Sequence, residues 1–485
     1  MQRNFSLPAT LALLLLVSVS CLPEDRRSGR ELIPEPEATY GASPMWAKSA
    51  NLYEVNVRQY TPEGTFRAFA EHLPRLDDMG VDILWFMPIY PISETKRKGE
   101  LGSYYAVSDY TATNPEFGSV ADFQAVVDEA HRLGMKVILD WVPNHTGWDH
   151  VWLEAHPEWF TQDSAGNVID PVNYETGESW GWTDVADLNY DNDEMRLAMI
   201  AELRWWLDSV NIDGYRMDVA HGVPYDFWAQ CSDSLRKTRA DIFLLAEAED
   251  DTLLNEQWFA MDYAWSFHHL LNDLVVGESS LPADEQDVAP GAVTANDLMA
   301  WYEQDQQDLR HGYHMHFITN HDENAWAGTV RERMGDAADA LAVLAFTFDG
   351  MPLIYSGQEA GMNKRLEFFE KDTIEWGEVS KQTFYTRLLS LKHDHKALWN
   401  GRMGGPVQRL KTNHDESVLA FVREKSGDNV IVVLNLSDEP VSVLVPTVRL
   451  EGKYEDAFTG ETVVVGANLE REMQPWAYLV IGKEG

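Results

Sequence analysis

Residues 212–223 read IDGYRMDVAHGV. This is a short apolar segment of the kind that is buried as a strand, yet it carries Arg216 and Asp218 two positions apart. In an extended chain alternate side chains project to the same side, so both charges share one face. Two readings are open from this stretch alone. Buried charges are usually paired, and a structural ion pair would account for them. Alternatively, the guanidinium keeps a carboxylate ionised so that it can attack a substrate.

Working outward, similar apolar runs ending in polar residues recur along the chain: NLYEVNV from 51, VDILWFMPI from 81, KVILDWVP from 136, IFLLAEAE from 242, YAWSFH from 263, HMHFITNHD from 314 and MPLIYSGQE from 351. Amphipathic helical patterns lie between them. SVADFQAVVDEAHRLG, for example, places Phe123, Val126, Val127, Ala130 and Leu133 on one face. Eight strands alternating with helices point to the α/β class and a closed (β/α)8 TIM barrel spanning 45–399. An open doubly wound sheet is the alternative, but no G-x-G-x-x-G follows the first strand, which weakens its dinucleotide-binding form. After the third strand, residues 145–190 are rich in Trp, Asp, Gly and Pro without a clear helix. Loops of that length are usually functional, so this one is read as a small inserted subdomain over the barrel mouth. Beyond Trp399 the pattern changes to VLAFVRE, NVIVVLNLS, PVSVLVPTVRL, TVVVGANL and AYLVIGK. This predicts a C-terminal antiparallel β-sandwich domain over 400–485.

The N-terminus, MQRNFSLPATLALLLLVSVSC, has one arginine, an apolar run too short to span a membrane, and small residues before Cys21. It reads as an export signal over 1–20. Its end resembles a bacterial lipoprotein signal that is cut before Cys21 and lipidated there, with a plain secretory signal as the alternative. Residues 21–44, rich in Pro, Glu and Arg, are then expected to form a flexible tether. The membrane is met through this anchor only, at a periplasmic or cell-surface face. Cys231 is expected as a small core residue. A formal net charge of −41 disfavours nucleic acid and anionic surfaces as partners, and a neutral substrate suits it best.

Barrel active sites form where strands end. There the chain supplies Asp140, Asn144 and His145 after the third strand, Arg216 and Asp218 at the fourth, Glu247 at the fifth, and His321 and Asp322 at the seventh. Crowded carboxylates repel unless one is protonated or a cation is near. Retaining glycoside hydrolysis uses such a set: a nucleophile, a proton donor roughly 5 Å away, and a third carboxylate that stabilises charge on the sugar ring. Arg216 would hold Asp218 ionised, and burial in LLAEAED would raise Glu247 so that it serves as acid and then base.

The segments DWVPNH (140–145), GYRMDVAH (214–221), FLLAEAE (243–249) and FITNHDEN (317–324), in this order, resemble the four signature regions of the α-amylase family, glycoside hydrolase family 13. GSYYAVSDY from 102 and GMPLIYSGQE from 350 extend the resemblance. It implies Asp218 as nucleophile, Glu247 as acid/base and Asp322 as transition-state stabiliser, with Arg216 beside the nucleophile and Asp140 supporting it. It further implies that His145 and His321 bond sugar hydroxyls, that Tyr105 stacks on the sugar, and that His221 contacts the leaving-group side. A structural calcium ion is implied at Asn144, Asp187 and Gly222; no organic cofactor is expected. Where many α-amylases carry Lys-His after the nucleophile, this chain has His221 and Gly222, and Val219 resembles enzymes that cleave α-1,6 bonds. Trp141, Trp148, Trp180 and Trp182 are candidate sugar platforms. The expectation is a monomeric, retaining hydrolase of α-1,4-glucosidic bonds in starch-like glucans or maltooligosaccharides. An exo-acting α-glucosidase or oligo-1,6-glucosidase, a transglycosylase, and a non-catalytic glucan-binding lipoprotein are the alternatives.

Overall fold

The computed structural model describes residues 39–172, 176–276 and 293–483. The expected signal and Cys21 lie outside them. Thr39–Tyr40 pairs with Ser43–Pro44 in a tight hairpin whose turn uses Gly41 at φ +60°. Ser43 is buried with its hydroxyl 3.1 Å from that of Tyr313. The end of the expected tether is therefore part of the fold.

Eight strands close the barrel: β1 Leu52–Val55, β2 Ile83–Phe86, β3 Lys136–Trp141, β4 Gly214–Met217, β5 Phe243–Ala246, β6 Met261–Tyr263, β7 Tyr313–His316 and β8 Met351–Tyr355. Their spatial order is their sequence order, every neighbouring pair is parallel, and β8 closes on β1 through Leu353 opposite Leu52. One expected strand is displaced. In YAWSFH only Tyr263 is strand, and Trp265–Val276 is helix. Short apolar runs of this kind suit either buried state, so their pattern does not decide between them.

Alternation along each strand feeds two separate cores. Leu52, Ile83, Trp85, Ile138, Phe243, Leu245 and Met315 fill the barrel interior, whereas Tyr53, Leu84, Phe86, Val137, Leu139 and Leu244 pack outward beneath the helices. Val120–Arg132 shows how a helix is fixed in place. Ser119 and Asp122 form a capping box at its start, and Phe123, Val126, Val127 and Ala130 are buried.

The insertion after β3 contains more regular structure than its sequence suggests. His145–Gly147 pairs antiparallel with Val185–Asp187, and the segment carries a helical turn at Val151–Ala155 and a 3-10 turn at Pro157–Trp159. Turns this short leave no periodic pattern to read.

Asn400, expected to open the C-terminal domain, is buried and donates to the carbonyls of Ala47 and Ala50 beside β1. The terminal sheet begins at Val407. It comprises β9 Val407–Leu410, β10 Val418–Lys425, β11 Asp428–Asn435, β12 Val441–Pro446, β13 Gly452–Asp456, β14 Thr462–Val465, β15 Asn468–Met473 and β16 Tyr478–Lys483. The order is β9-β10-β11-β16-β13-β14 in one sheet, covered by the pair β12-β15. Val418, Ala420 and Val422 face the pair, while Leu419 and Phe421 join the large core shared with the barrel helices. Arg423, fully buried, donates to the carbonyls of Phe348, Gly405 and Trp399. Cys231 is a buried free thiol, as expected.

Candidate active site

The upper end of the barrel replaces apolar interior residues by polar ones on the same inward-facing register. Ladder bonding continues past the strand ends: the Asp218 N–H reaches the Trp141 carbonyl at 2.8 Å, and the Glu247 N–H reaches that of Met217 at 2.9 Å. This fixes both carboxylates over the same opening. Arg216 sits beneath them, fully buried. Its Nη1 contacts Asp140 and Asp218 at 2.8 Å each, its Nη2 lies 2.6 Å from Glu247, and its Nε donates to the Tyr263 hydroxyl at 3.2 Å. One guanidinium thus spans three carboxylates, so the ion pair and the reactive carboxylate posed by the opening stretch are parts of one cluster.

Val219, directly after Asp218, lies in the left-handed region at φ +45°. A β-branched residue is strained there. The conformation aims its N–H at Glu247 Oε2, 2.7 Å away.

The charge distribution in the free protein reverses one expectation. Burial raises Asp218 well above the ordinary carboxylate range, and the neighbouring charge of Glu247 adds to this. Burial pushes Glu247 the same way, but the Arg216 guanidinium and the Val219 N–H outweigh it and hold Glu247 below its usual range. Two carboxylates this close share protons, and the Arg216 contact favours the ionised form of Glu247. Sequence reading expected burial to raise Glu247 because the Arg216 Nη2 contact was not visible.

His321 is bonded through Nδ1 to Glu54 on β1, lies 3.3 Å from Asp322, and meets the Tyr105 hydroxyl at 2.7 Å. Burial acts to lower its pKa, but the charges of Asp322 and Glu54 prevail and raise it to about 9. It is therefore cationic at neutral pH. His145 is lowered to about 4 by burial and stays neutral. Asp140 is raised to about 6 by burial, and it accepts bonds from Trp85 and Tyr105.

Asp218, Glu247, Asp322, Tyr105, His145 and His321 line one cavity of about 460 Å³. His221 is not among them. It is exposed on the turn after Val219, and with Gly222, Tyr190 and Tyr225 it lines an adjoining groove of about 580 Å³. Of the candidate platforms, Trp182 lines the catalytic cavity and stacks against the exposed Trp180 at 5.9 Å. Trp148 lies under Lys96. Trp141 is wholly buried and stacks on Tyr110. Since Asp140 faces inward, its neighbour Trp141 must face outward.

Of the residues expected at calcium, Asn144 and Gly222 lie side by side, and Asp187 sits on the strand paired with His145. His145 pairs with Asp187 across the hairpin, and Asn144 and Asp187 are both buried. Asn144 Oδ1 crowds Gly222 so closely that a Cβ there would lie 2.7 Å from it. An amide oxygen, a carboxylate and nearby carbonyls suit a hard cation.

Sequence reading missed Glu54, Tyr263, Lys98, Asp184, Trp326, Phe368 and Phe369. The first two support the charged cluster and the others line the cavity. Glu54, a lone charge inside NLYEVNV, was the one visible signal.

Residues 46–430 match the family described as the alpha amylase catalytic domain, and residues 407–480 match the maltogenic amylase C-terminal domain. The chain is 26% identical over 441 residues to alpha-amylase MalA of Haloarcula japonica, covering 86% of this chain and 60% of that one. It therefore spans less than two thirds of that relative. Neopullulanase 2 of Thermoactinomyces vulgaris is 28% identical over 467 residues, covering 87% of this chain and 75% of that one. Among solved structures, a noncanonic maltogenic alpha-amylase, AmyB, from Thermotoga neapolitana aligns with TM-score 0.78 and 26% identity, covering 90% of this chain and 99% of that one. An alpha-amylase from Lactobacillus plantarum aligns with TM-score 0.76 and 28% identity, covering 90% and 100%.

Proposed function

The chain belongs to the α-amylase family of glycoside hydrolases, and from that premise we propose that it cleaves α-1,4-glucosidic bonds in starch-like glucans or maltooligosaccharides with retention of configuration. The observation that carries this reading is the contact of Arg216 with both Asp218 and Glu247 at the floor of one cavity, with Asp322 on the same wall. Asp218 is the nucleophile and Glu247 the acid/base. Glu247 carries the proton before attack. Arg216 then neutralises the ionised Asp218. Asp218 attacks the anomeric carbon as Glu247 gives its proton to the departing glycosidic oxygen, leaving a covalent glucosyl-Asp218. A water molecule gives its proton to Glu247 and displaces Asp218, restoring the pair. Asp322 and the cationic His321 hold the sugar ring and its hydroxyls, and neutral His145 contributes a further hydrogen bond. Calcium at Asn144, Asp187 and Gly222 would tie the insertion to β4 and thereby fix His145.

Export on residues 1–20 and lipid anchoring at Cys21 complete the proposal, on the sequence alone. Loss of membrane association in Cys21→Ala, with a soluble exported product, would support the anchor. Unchanged fractionation would remove it.

The test of the reaction is a time course on amylose, pullulan and isomaltose, with the anomer formed first read by proton NMR. Initial α-configured products from amylose support the reading, and β-configured products would overturn retention. A second reading, exo-acting cleavage, is favoured by a specific observation: residues 92–103, which help line the cavity, are tied both to the insertion and to the loop after β8.

A further inference from the structure

Residues 92–103 run across the mouth of the barrel and are fastened at both ends. On the side of the insertion, the N–H groups of Glu94 and Thr95 both reach Asp149 Oδ2, at 2.8 and 3.1 Å. The Lys96 ammonium lies 3.2 Å from the centre of the Trp148 ring, and Lys98 Nζ lies 2.6 Å from Asp184 Oδ1. On the opposite side, the loop after β8 is met by main chain. The Leu101 N–H donates to the Phe369 carbonyl at 3.0 Å, and the Glu100 N–H donates to Glu370 at 2.8 Å. Gly99, at φ +65°, passes so close that a Cβ would fall 2.5 Å from Glu370 and 2.6 Å from Phe369. Arg58, buried below, donates to the carbonyls of both Gly102 and Phe368. The segment is therefore a strap joining two walls that otherwise belong to separate loops.

Its inner surface belongs to the catalytic cavity. Lys98, Ser103, Asp184 and Phe369 line it alongside Asp218 and Glu247. The direction of the closure follows from chemistry. Glu247 protonates the leaving oxygen, so the departing portion of a glucan lies toward Glu247 and Val219, and two residues beyond Val219 His221 lines a separate groove with Tyr225. The strap instead leads within two residues into Tyr105, whose N–H is held by the Ser103 hydroxyl at 3.1 Å. Tyr105 in turn bonds His321 at 2.7 Å, the residue placed above against the sugar that becomes attached to Asp218.

We infer that this strap, pinned by the Lys98–Asp184 pair, blocks the non-reducing end of the bound glucan and makes the protein an exo-acting enzyme that releases one short product length. The inference rests on the proposed α-1,4 hydrolysis. Lys98 and Asp184 are specificity residues: they bound the cavity and offer an ammonium and a carboxylate to the terminal sugar's hydroxyls.

The experiment compares the full-length protein, extracted in detergent, on two p-nitrophenyl maltoheptaosides, one free and one blocked at the non-reducing terminal sugar. The inference expects the free substrate to be cleaved at least ~10-fold faster, with a single early product, and expects Lys98→Ala and Lys98→Ala/Asp184→Ala to narrow that ratio toward unity and broaden the products. Lys98→Arg, which keeps the pair, should retain the wild-type ratio. Equal rates on the two substrates in the wild type, or a ratio unmoved in folded variants, overturn the strap's role while leaving α-1,4 hydrolysis standing. If the wild type turns over neither heptaoside, the underlying reading fails and the inference with it. Should a variant not fold, the wild-type ratio still decides.

Discussion

The lower and upper halves of the barrel interior occupy the same register of the same strands and are filled on opposite principles. Below, Ile83, Ile138, Phe243, Leu245 and Met315 are close-packed and fully buried. Above, Glu54, Asp140, Arg216 and Tyr263 are buried just as completely but form a charged network. The lower layer gains free energy from removing apolar surface from water. The upper layer bears the desolvation of several charges, which their mutual attraction offsets only with good geometry. The lesson is that burial alone does not separate core from site. What separates them is the chemistry of the inward-facing residue one pleat further along the strand.

That contrast can be broken from either side. The largest effect is expected from Glu247→Gln. Maltooligosaccharide turnover should fall by roughly 10³-fold or more, as is usual when an acid/base group is lost, while binding persists and the melting temperature stays level or rises. Kinetics beside calorimetry would check this, and a large fall in melting temperature would mean the carboxylate is structural. In the lower layer, Leu245→Ala should cost about 2–5 kcal/mol of stability by leaving a cavity. Its kcat should change little at temperatures where it remains folded. Urea unfolding measures the first quantity and steady-state rates the second.

The upper layer should also make stability depend on pH. A histidine raised from 6.5 to about 9 binds its proton more tightly in the folded chain than in the unfolded one. The resulting stabilisation is fully present below pH 6.5 and is lost as pH rises through about 9. The shift corresponds to a few kcal/mol, at about 1.4 kcal/mol per pH unit. Chemical denaturation of wild type and His321→Asn across that window would show the difference between the two proteins shrinking as pH rises. A difference of constant size would remove His321 as the titrating group. The smallest effect lies far from both layers. Val464, on β14, is 73% exposed, and Val464→Thr should alter stability by less than about 0.5 kcal/mol and activity not at all.

How much of this was legible depended on whether a feature is local. Strand alternation and the polar strand ends revealed the barrel and brought Asp218, Glu247, Asp322, His145 and His321 together, because each is announced by its neighbours in sequence, while Tyr105 came only from the family resemblance. Trp141 was misread although alternation held the answer, since it must face away from Asp140. His221 was carried over from a resemblance, and it lies outside the catalytic cavity, in the groove it lines with Gly222 and Tyr225. The lowering of Glu247 was illegible because it depends on which carboxylate Arg216 Nη2 meets. Glu54 acquires its partner only when β1 closes beside β8, and Lys98 meets Asp184 only when the insertion folds back. Such pairings across long stretches of chain leave no trace in a local pattern.

The seam between β8 and β1 has a consequence in time. Leu52–Val55 finds its partner only when Leu353–Tyr355 exists, roughly 300 residues later. At about 5–20 residues per second, a growing chain therefore holds one side of β1 unpaired for on the order of half a minute. An unpaired apolar strand invites association with another chain, and an inward-pointing charge is a recognised deterrent. Glu54, which ends up bonded to His321, is placed to keep the waiting strand soluble until the last strand of the barrel arrives.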